Sequence, residues 1–445
     1  MPNTLSDSQS SILRSIFSAA PDSAVINLES ALAGEVARGG AMAEVHGLIA
    51  QEATNRRTRS LVFMPVMPLC KPGLGPSPRF PVQTPALLWA AVRATDPAAA
   101  RAAEGLGPCA YDEERIFAAD VCNSLCRTAA AGLRSREGCF TAAVALLDKA
   151  GGYVEPFAKL LDLAPLARRA LTQMPDWMGR LTEERAVAIH LAYNDADDLA
   201  DDGGPRLLDI LCAHMTEPWR VLHLISAVMD RPTDRFAAAS EVARFGEFLM
   251  GDIDQRLGDF RAYDPSGGRA SGLVAATRLH LASMAIAEFE TSLDISREGP
   301  WGARLNKQKQ SIAQLAETRM SQIDKALDAA LPVQMVKFGS GVRGFPKLDE
   351  DPQPPMLRKA QSLLAFFVES RASANQAGYA SVRTKAGERL DSRLDHYVED
   401  LLEMLRGEDV QNIARIKLYL GAAADLIAAA RGEQAAAIIR RRAAA

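Results

Sequence analysis

Five aspartates, at 195, 197, 198, 201 and 202, crowd into the stretch YNDADDLADDGGP that spans residues 193–205. Asp197 with Asp201, and Asp198 with Asp202, are four apart, so on a helix each pair projects from one side. Oxygens so placed suit Mg²⁺, which takes a few carboxylates and keeps its other positions for water or substrate phosphate. The competing expectation is a turn, because Asn, Asp and Gly are turn formers. A helix would then stop near residues 194–200, Gly203 would take the left-handed position after its end, and Pro205 would block resumption. Acids at a helix C-terminus oppose its dipole by about 0.3–1 kcal/mol each. Either a cation compensates that cost or the helix has already stopped, and the turn formers make the turn the expectation.

DDLAD, residues 197–201, resembles the DDxxD metal motif of class I terpenoid and prenyl-chain synthases. The resemblance implies an all-α enzyme in which Asp197, Asp198 and Asp201 hold Mg²⁺ bound to a diphosphate. FLMGDIDQRLGD, residues 248–259, faintly resembles the second acidic motif of that family. There Gly251 and Gln255 stand where the family carries metal-binding side chains.

The cysteines offer a second pattern. Cys109, Cys122, Cys126 and Cys139 are separated by twelve, three and twelve residues. Four thiolates can hold zinc tetrahedrally. Cys122 and Cys126 nevertheless read as mid-helix residues one turn apart, and free cysteine is among the most buried residue types. The expectation is therefore burial. FGSGVRGF contains G-x-G-x-x-G at Gly339, Gly341 and Gly344. A dinucleotide site would need a strand before it and a helix after it; a helical pattern precedes this one and a proline-rich acidic stretch follows, which predicts a linker. His214 and His223 are scattered histidines without a metal-protease spacing. Two arginine clusters remain, Arg56, Arg57 and Arg59 in NRRTR, and Arg440, Arg441 and Arg442 near the end. Arginines near a helix end complement its dipole, and the second cluster is also a candidate contact for a partner or for anionic lipid.

The elements that must position these groups read as helices. Alanine and leucine dominate while β-branched residues are sparse. Leu390, Leu394, Tyr397, Leu401 and Leu405 recur at helical spacing, as do Ile312, Ala316, Met320, Ile323, Leu327 and Ala330. Thr182, Asp112 and Thr233 each precede acids and look like N-caps. No convincing alternating strand stands out. The fold expected is all-α, an irregular multi-helix array or several packed bundles joined by Pro/Gly-rich linkers. The divisions expected are an N-terminal helical segment (1–63), a proline-rich linker (64–85), a central helical body (86–338), a Gly/Pro-rich acidic linker (339–355) and a C-terminal helical region (356–445).

Over 445 residues, 48% are hydrophobic and 24% charged, enough apolar surface for packed cores and too ordinary a balance for global disorder. A formal net charge of −4 argues against a dedicated nucleic-acid binder. The opening residues lack the basic and then apolar pattern of a secretory signal, and no run reads as a membrane span. The expectation is a cytoplasmic, non-enzymatic interaction or adaptor protein, of scaffold or regulatory kind, with protein partners and no cofactor. Peripheral membrane contact through Arg440–Arg442 is a lesser expectation. The alternative is a Mg²⁺-dependent enzyme acting on a diphosphate at Asp197, Asp198 and Asp201.

Overall fold

Helix starts are encoded as expected at two of the three marked positions. The Thr182 hydroxyl accepts from the Arg185 amide at 3.4 Å, and that of Thr233 accepts from the Phe236 amide at 3.3 Å. Asp112 instead lies within the first turn of its helix beside Glu113 and Glu114, where acids still suit the dipole. The computed structural model describes residues 6–33, 41–73, 75–106, 112–338, 341–407 and 412–444. The protein is all-α: 78% helical, with 20 α-helices among the described residues and almost no strand.

The chain divides into two compact units, Met1–Asp230 and Arg231–Ala445. Unit 1 runs α1 (Asp7–Ala19), α2 (Asp22–Leu32), α3 (Ala41–Val62), α4 (Thr84–Thr95), α5 (Pro97–Glu104), α6 (Asp112–Ser135), α7 (Thr141–Lys149), α8 (Val154–Asp162), α9 (Ala164–Trp177), α10 (Glu183–Leu199), α11 (Gly203–His214) and α12 (Val221–Val228). Phe17, Val25, Ile49 and Ala53 close the contact of α1 and α2 with α3. The Arg56 guanidinium, 3% exposed, locks the same junction by donating to the carbonyls of Phe17, Ser18 and Ala20 and pairing with Asp22 and Glu52. It satisfies the last carbonyls of α1, which a helix end leaves without partners.

The boundary after Asp230 falls inside the expected central body and not at either proline-rich segment. Residues 64–85 do not behave as a loose linker. They make a short 3₁₀ turn (Met67–Cys70) and bury Val66, Leu69, Cys70 and Phe80, with Phe80 edge-on to Phe157 at 4.7 Å. Proline forbids a continuous helix there but does not stop apolar side chains from burying.

Unit 2 runs α13 (Asp234–Ala239), α14 (Ala243–Arg261), α15 (Gly268–Ser292), α16 (Gly302–Ala330), the strands β1 (Val333–Phe338) and β2 (Gly341–Pro346), then α17 (Pro354–Glu369), α18 (Ala380–Arg406), α19 (Ile413–Arg431) and α20 (Glu433–Ala444). The stripe Ile312, Ala316, Met320, Ile323, Leu327 and Ala330 is buried along α16, as are Leu390, Leu394, Tyr397 and Leu401 along α18. Helices α15 and α17 lie so close that a Cβ at Gly272 would stand 2.0 Å from the Ser362 carbonyl oxygen. The segment Pro265–Ser292 has the length and composition of a membrane span; half of its most apolar window is buried, as a core helix requires.

The acidic linker expected at 339–355 starts instead as the second half of a β-hairpin, with Val333 opposite Pro346 and Gln334 opposite Phe345. VQMVKF breaks strict alternation at the adjacent apolar Met335 and Val336, and six residues are too few to stand out against long helical patterns. Gly344 has a structural duty there, since a Cβ would meet Val333 Cγ1 at 2.7 Å. Gly339 lies outside the described residues, while Gly341 and Gly344 lie on β2 with no helix directly after them.

Candidate functional site

The crowding of acids resolves into a junction between two helices. Helix α10 ends at Leu199, Ala200 is extended, and α11 begins at Gly203. Asp201 and Asp202, which follow α10, therefore stand at the N-terminus of α11, where partial positive charge favours acids. Asp197 uses this directly: its Oδ1 accepts from the Gly204 amide at 2.7 Å. Asp202 pairs with Arg206 at 3.7 Å, and the Lys159 ammonium donates to the Asp201 carbonyl at 3.4 Å.

The turn is present with its roles reassigned. Asp202, not Gly203, takes the left-handed backbone, with φ of 61°. Asp tolerates that region better than most side chains do. Gly203 is required by close approach, since a Cβ would lie 1.8 Å from the Ala196 carbonyl oxygen. Pro205 does not prevent a helix; it sits in the first turn of α11, where an amide has no helical partner to lose.

Asp197, Asp198 and Asp201 are all exposed. Among the described residues no group of three or more His, Cys, Asp or Glu side chains is arranged to hold a metal ion. The second acidic stretch lies on α14 in unit 2, and its carboxylates are engaged by cations: Asp252 with Arg256 at 2.6 Å and Asp254 with Arg304 at 2.7 Å.

What remains open on α10 is its outer face. Glu184, Val187, Leu191, Asp195 and Asp198 fall within about 80° of helical arc at 100° per residue. Val187 is 53% and Leu191 56% exposed, and Leu199 at the helix end is 62% exposed. The buried stripe of the same helix is Ile189, Tyr193 and Ala196. An amphipathic core helix normally turns a polar face outward. This one presents two leucines and a valine bordered by carboxylates.

The other predicted groups do not converge. Cys122 and Cys126 are buried on α6, while Cys139 is exposed and Cys109 lies outside the described residues. The Cys126 thiol donates to the Val62 carbonyl at 3.3 Å, and burial pushes its pKa up to about 12, as it does for Cys70. Such thiols are packing residues, not nucleophiles. His214 and His223 each contact a different backbone carbonyl, of Pro65 and Trp177, both at 3.0 Å. Arg440 is engaged by Asp425 at 2.8 Å and by Glu433. Arg441 donates to the Ala437 carbonyl one turn back, and Arg442 is exposed.

Compared with known proteins, the chain matches no family model, no curated protein and no solved structure. Its surface has to be read from geometry.

Proposed function

We propose that this chain is a non-enzymatic helical interaction protein, a cytoplasmic scaffold or regulator, and that the outer face of α10 is its docking surface. The observation that carries the reading is the coincidence of exposed Val187, Leu191 and Leu199 with the carboxylates of Glu184, Asp195 and Asp198 on one helix face. Such a face complements an amphipathic partner helix with an apolar stripe and flanking Lys or Arg, the helix-packing mode of recognition. Apolar anchors would supply affinity, and the charges would set orientation and association rate. The diphosphate-enzyme alternative draws no support from the geometry, since Asp197 is committed to the Gly204 amide.

The test is fluorescence anisotropy of the full chain with a labelled Leu/Lys amphipathic peptide of roughly 18 residues, long enough for five turns. Val187→Asp combined with Leu191→Asp changes two exposed side chains and leaves the buried stripe intact. It should weaken binding at least about tenfold, near 1.4 kcal/mol. Equal binding by the parent and the double variant would defeat the proposal. So would a rise in thermal stability with Mg²⁺ that Asp198→Asn with Asp201→Asn abolishes, because that would move the site to the enzyme alternative.

A further inference from the structure

A different surface, in unit 2, gathers cations around a cavity. The cavity has a volume of about 460 Å³ and opens where the turn before α15 meets α16 and α17. Arg319, Gln322, Ala326 and Ala329 line it from one stripe of α16, with successive spacings of three, four and three. Met356 and Lys359, three apart, line it from α17, while Lys325 closes one side and Asp264, Pro265 and Ser266 form the rim. Three cations face one carboxylate.

These cations are not used up by the fold. The Arg319 guanidinium is held by neutral acceptors: the carbonyls of Arg261 at 3.1 Å and Tyr263 at 3.0 Å, and Gln322 Oε1 at 3.2 Å. It also lies 5.1 Å from the Tyr263 ring centroid. Position is fixed and charge remains. Lys325 and Lys359 are exposed and form no ion pair or hydrogen bond among the described residues. Asp264 is turned inward on its own loop, accepting from the Ser266 amide at 2.9 Å and from the Ser266 hydroxyl. Those bonds hold its carboxyl below the usual range, with smaller help from Lys359 and Arg319.

We infer that this cavity binds a small phosphate monoester, with the phosphate between Lys325, Lys359 and Arg319 and an apolar body on Ala326, Ala329, Met356 and Pro265. Lysines meet phosphate as point charges, and a guanidinium adds directional donors. Gln322 contributes an amide N–H, since its oxygen already accepts from Arg319. The volume lies in the range of small-molecule sites. The groove around Arg14 and Arg93 in unit 1 is a weaker candidate, because Glu52 shares its wall and Glu104 pairs with Arg93 at 3.3 Å.

Isothermal titration calorimetry of the full chain with phenyl phosphate tests the inference. Binding by the parent is expected to weaken at least about tenfold in Lys325→Ala with Lys359→Ala. It should persist in Lys307→Ala with Lys417→Ala, which removes two exposed lysines elsewhere on the same unit. Benzoate, with the ring but a single negative charge, should bind markedly more weakly. Absence of phenyl phosphate binding by the parent overturns the inference, as does unchanged binding in the cavity variant. Equal affinity for benzoate overturns the choice of phosphate.

Discussion

Asp197 and Asp198 are neighbours in sequence with opposite structural fates, and their difference is measurable. Asp197 caps α11 through the Gly204 amide, whereas Asp198 points outward from the exposed face of α10. Asp197→Ala should cost about 1 kcal/mol, the usual loss for a helix cap. Asp198→Ala should be neutral or slightly stabilising, because it removes an acid beside a helix C-terminus. Equal losses in urea unfolding would contradict this assignment. Arg56 represents the other extreme. Removing a buried, fully bonded guanidinium takes a donor from Asp22, Glu52 and three carbonyls, although Asp22 keeps Arg59 and Glu52 keeps Asn55. Arg56→Ala should therefore cost about 1–3 kcal/mol, the loss for buried carbonyls left unsatisfied, and Arg56→Lys should recover only part of it because an ammonium cannot reproduce the planar fork. His214 adds a pH dependence. Burial lowers its pKa from the ordinary 6.5, with the Pro65 and Met64 carbonyls working the other way. The unfolded chain then protonates first, so the stability due to the neutral buried ring is present above pH 6.5 and is lost as pH falls through that value. Replacing His214 with Gln should flatten the melting temperature between about pH 7 and about pH 5.

At the scale of elements, two mid-helix glycines should respond oppositely to the same substitution. Ala is favoured over Gly in a helix by about 1 kcal/mol. At Gly251 on α14 the added methyl meets nothing within 4 Å, so Gly251→Ala should stabilise by up to that amount. At Gly272 the methyl would collide with the Ser362 carbonyl at 2.0 Å and crowd Ala365. Overpacking of about 1–3 kcal/mol then exceeds the propensity gain, and Gly272→Ala should lower the melting temperature. Both glycines look alike in sequence. The difference lies in α17, which approaches one and not the other. The same reasoning explains Gly203, which reads as a helix-ending glycine but serves as the contact point between α10 and α11. Helix periodicity was legible along α16 and α18 because their buried stripes repeat over many turns. The β1–β2 hairpin was not, because six-residue strands carry little pattern.

For the whole molecule, two units each with their own buried aromatics imply two units of folding. Phe63 and Phe157 are fully buried in the first, and Phe245, Phe260, Phe289, Trp301 and Phe366 in the second. Residues 1–230 and 231–445, produced separately, should each give a helical circular dichroism spectrum and a cooperative melt. A half with an unfolded spectrum would show that the division is one of shape and not of folding. The division after Asp230 carries no proline-rich stretch of the kind at 64–85 or 339–355, because proline reports only what the local backbone cannot do. A domain boundary depends instead on which distant side chains bury each other.

The residues alone determined the helical class, the buried stripes of α16 and α18 and the presence of a turn near Gly203, since each follows from local periodicity, caps and backbone preference. Only the tertiary arrangement decided that the crowded acids serve the start of the following helix, that residues 64–85 belong to a core, and that Arg319, Lys325 and Lys359 surround one cavity. Lys359 lies far from Arg319 along the chain, and no sequence spacing encodes that meeting. Packing of α16 against α17 creates it.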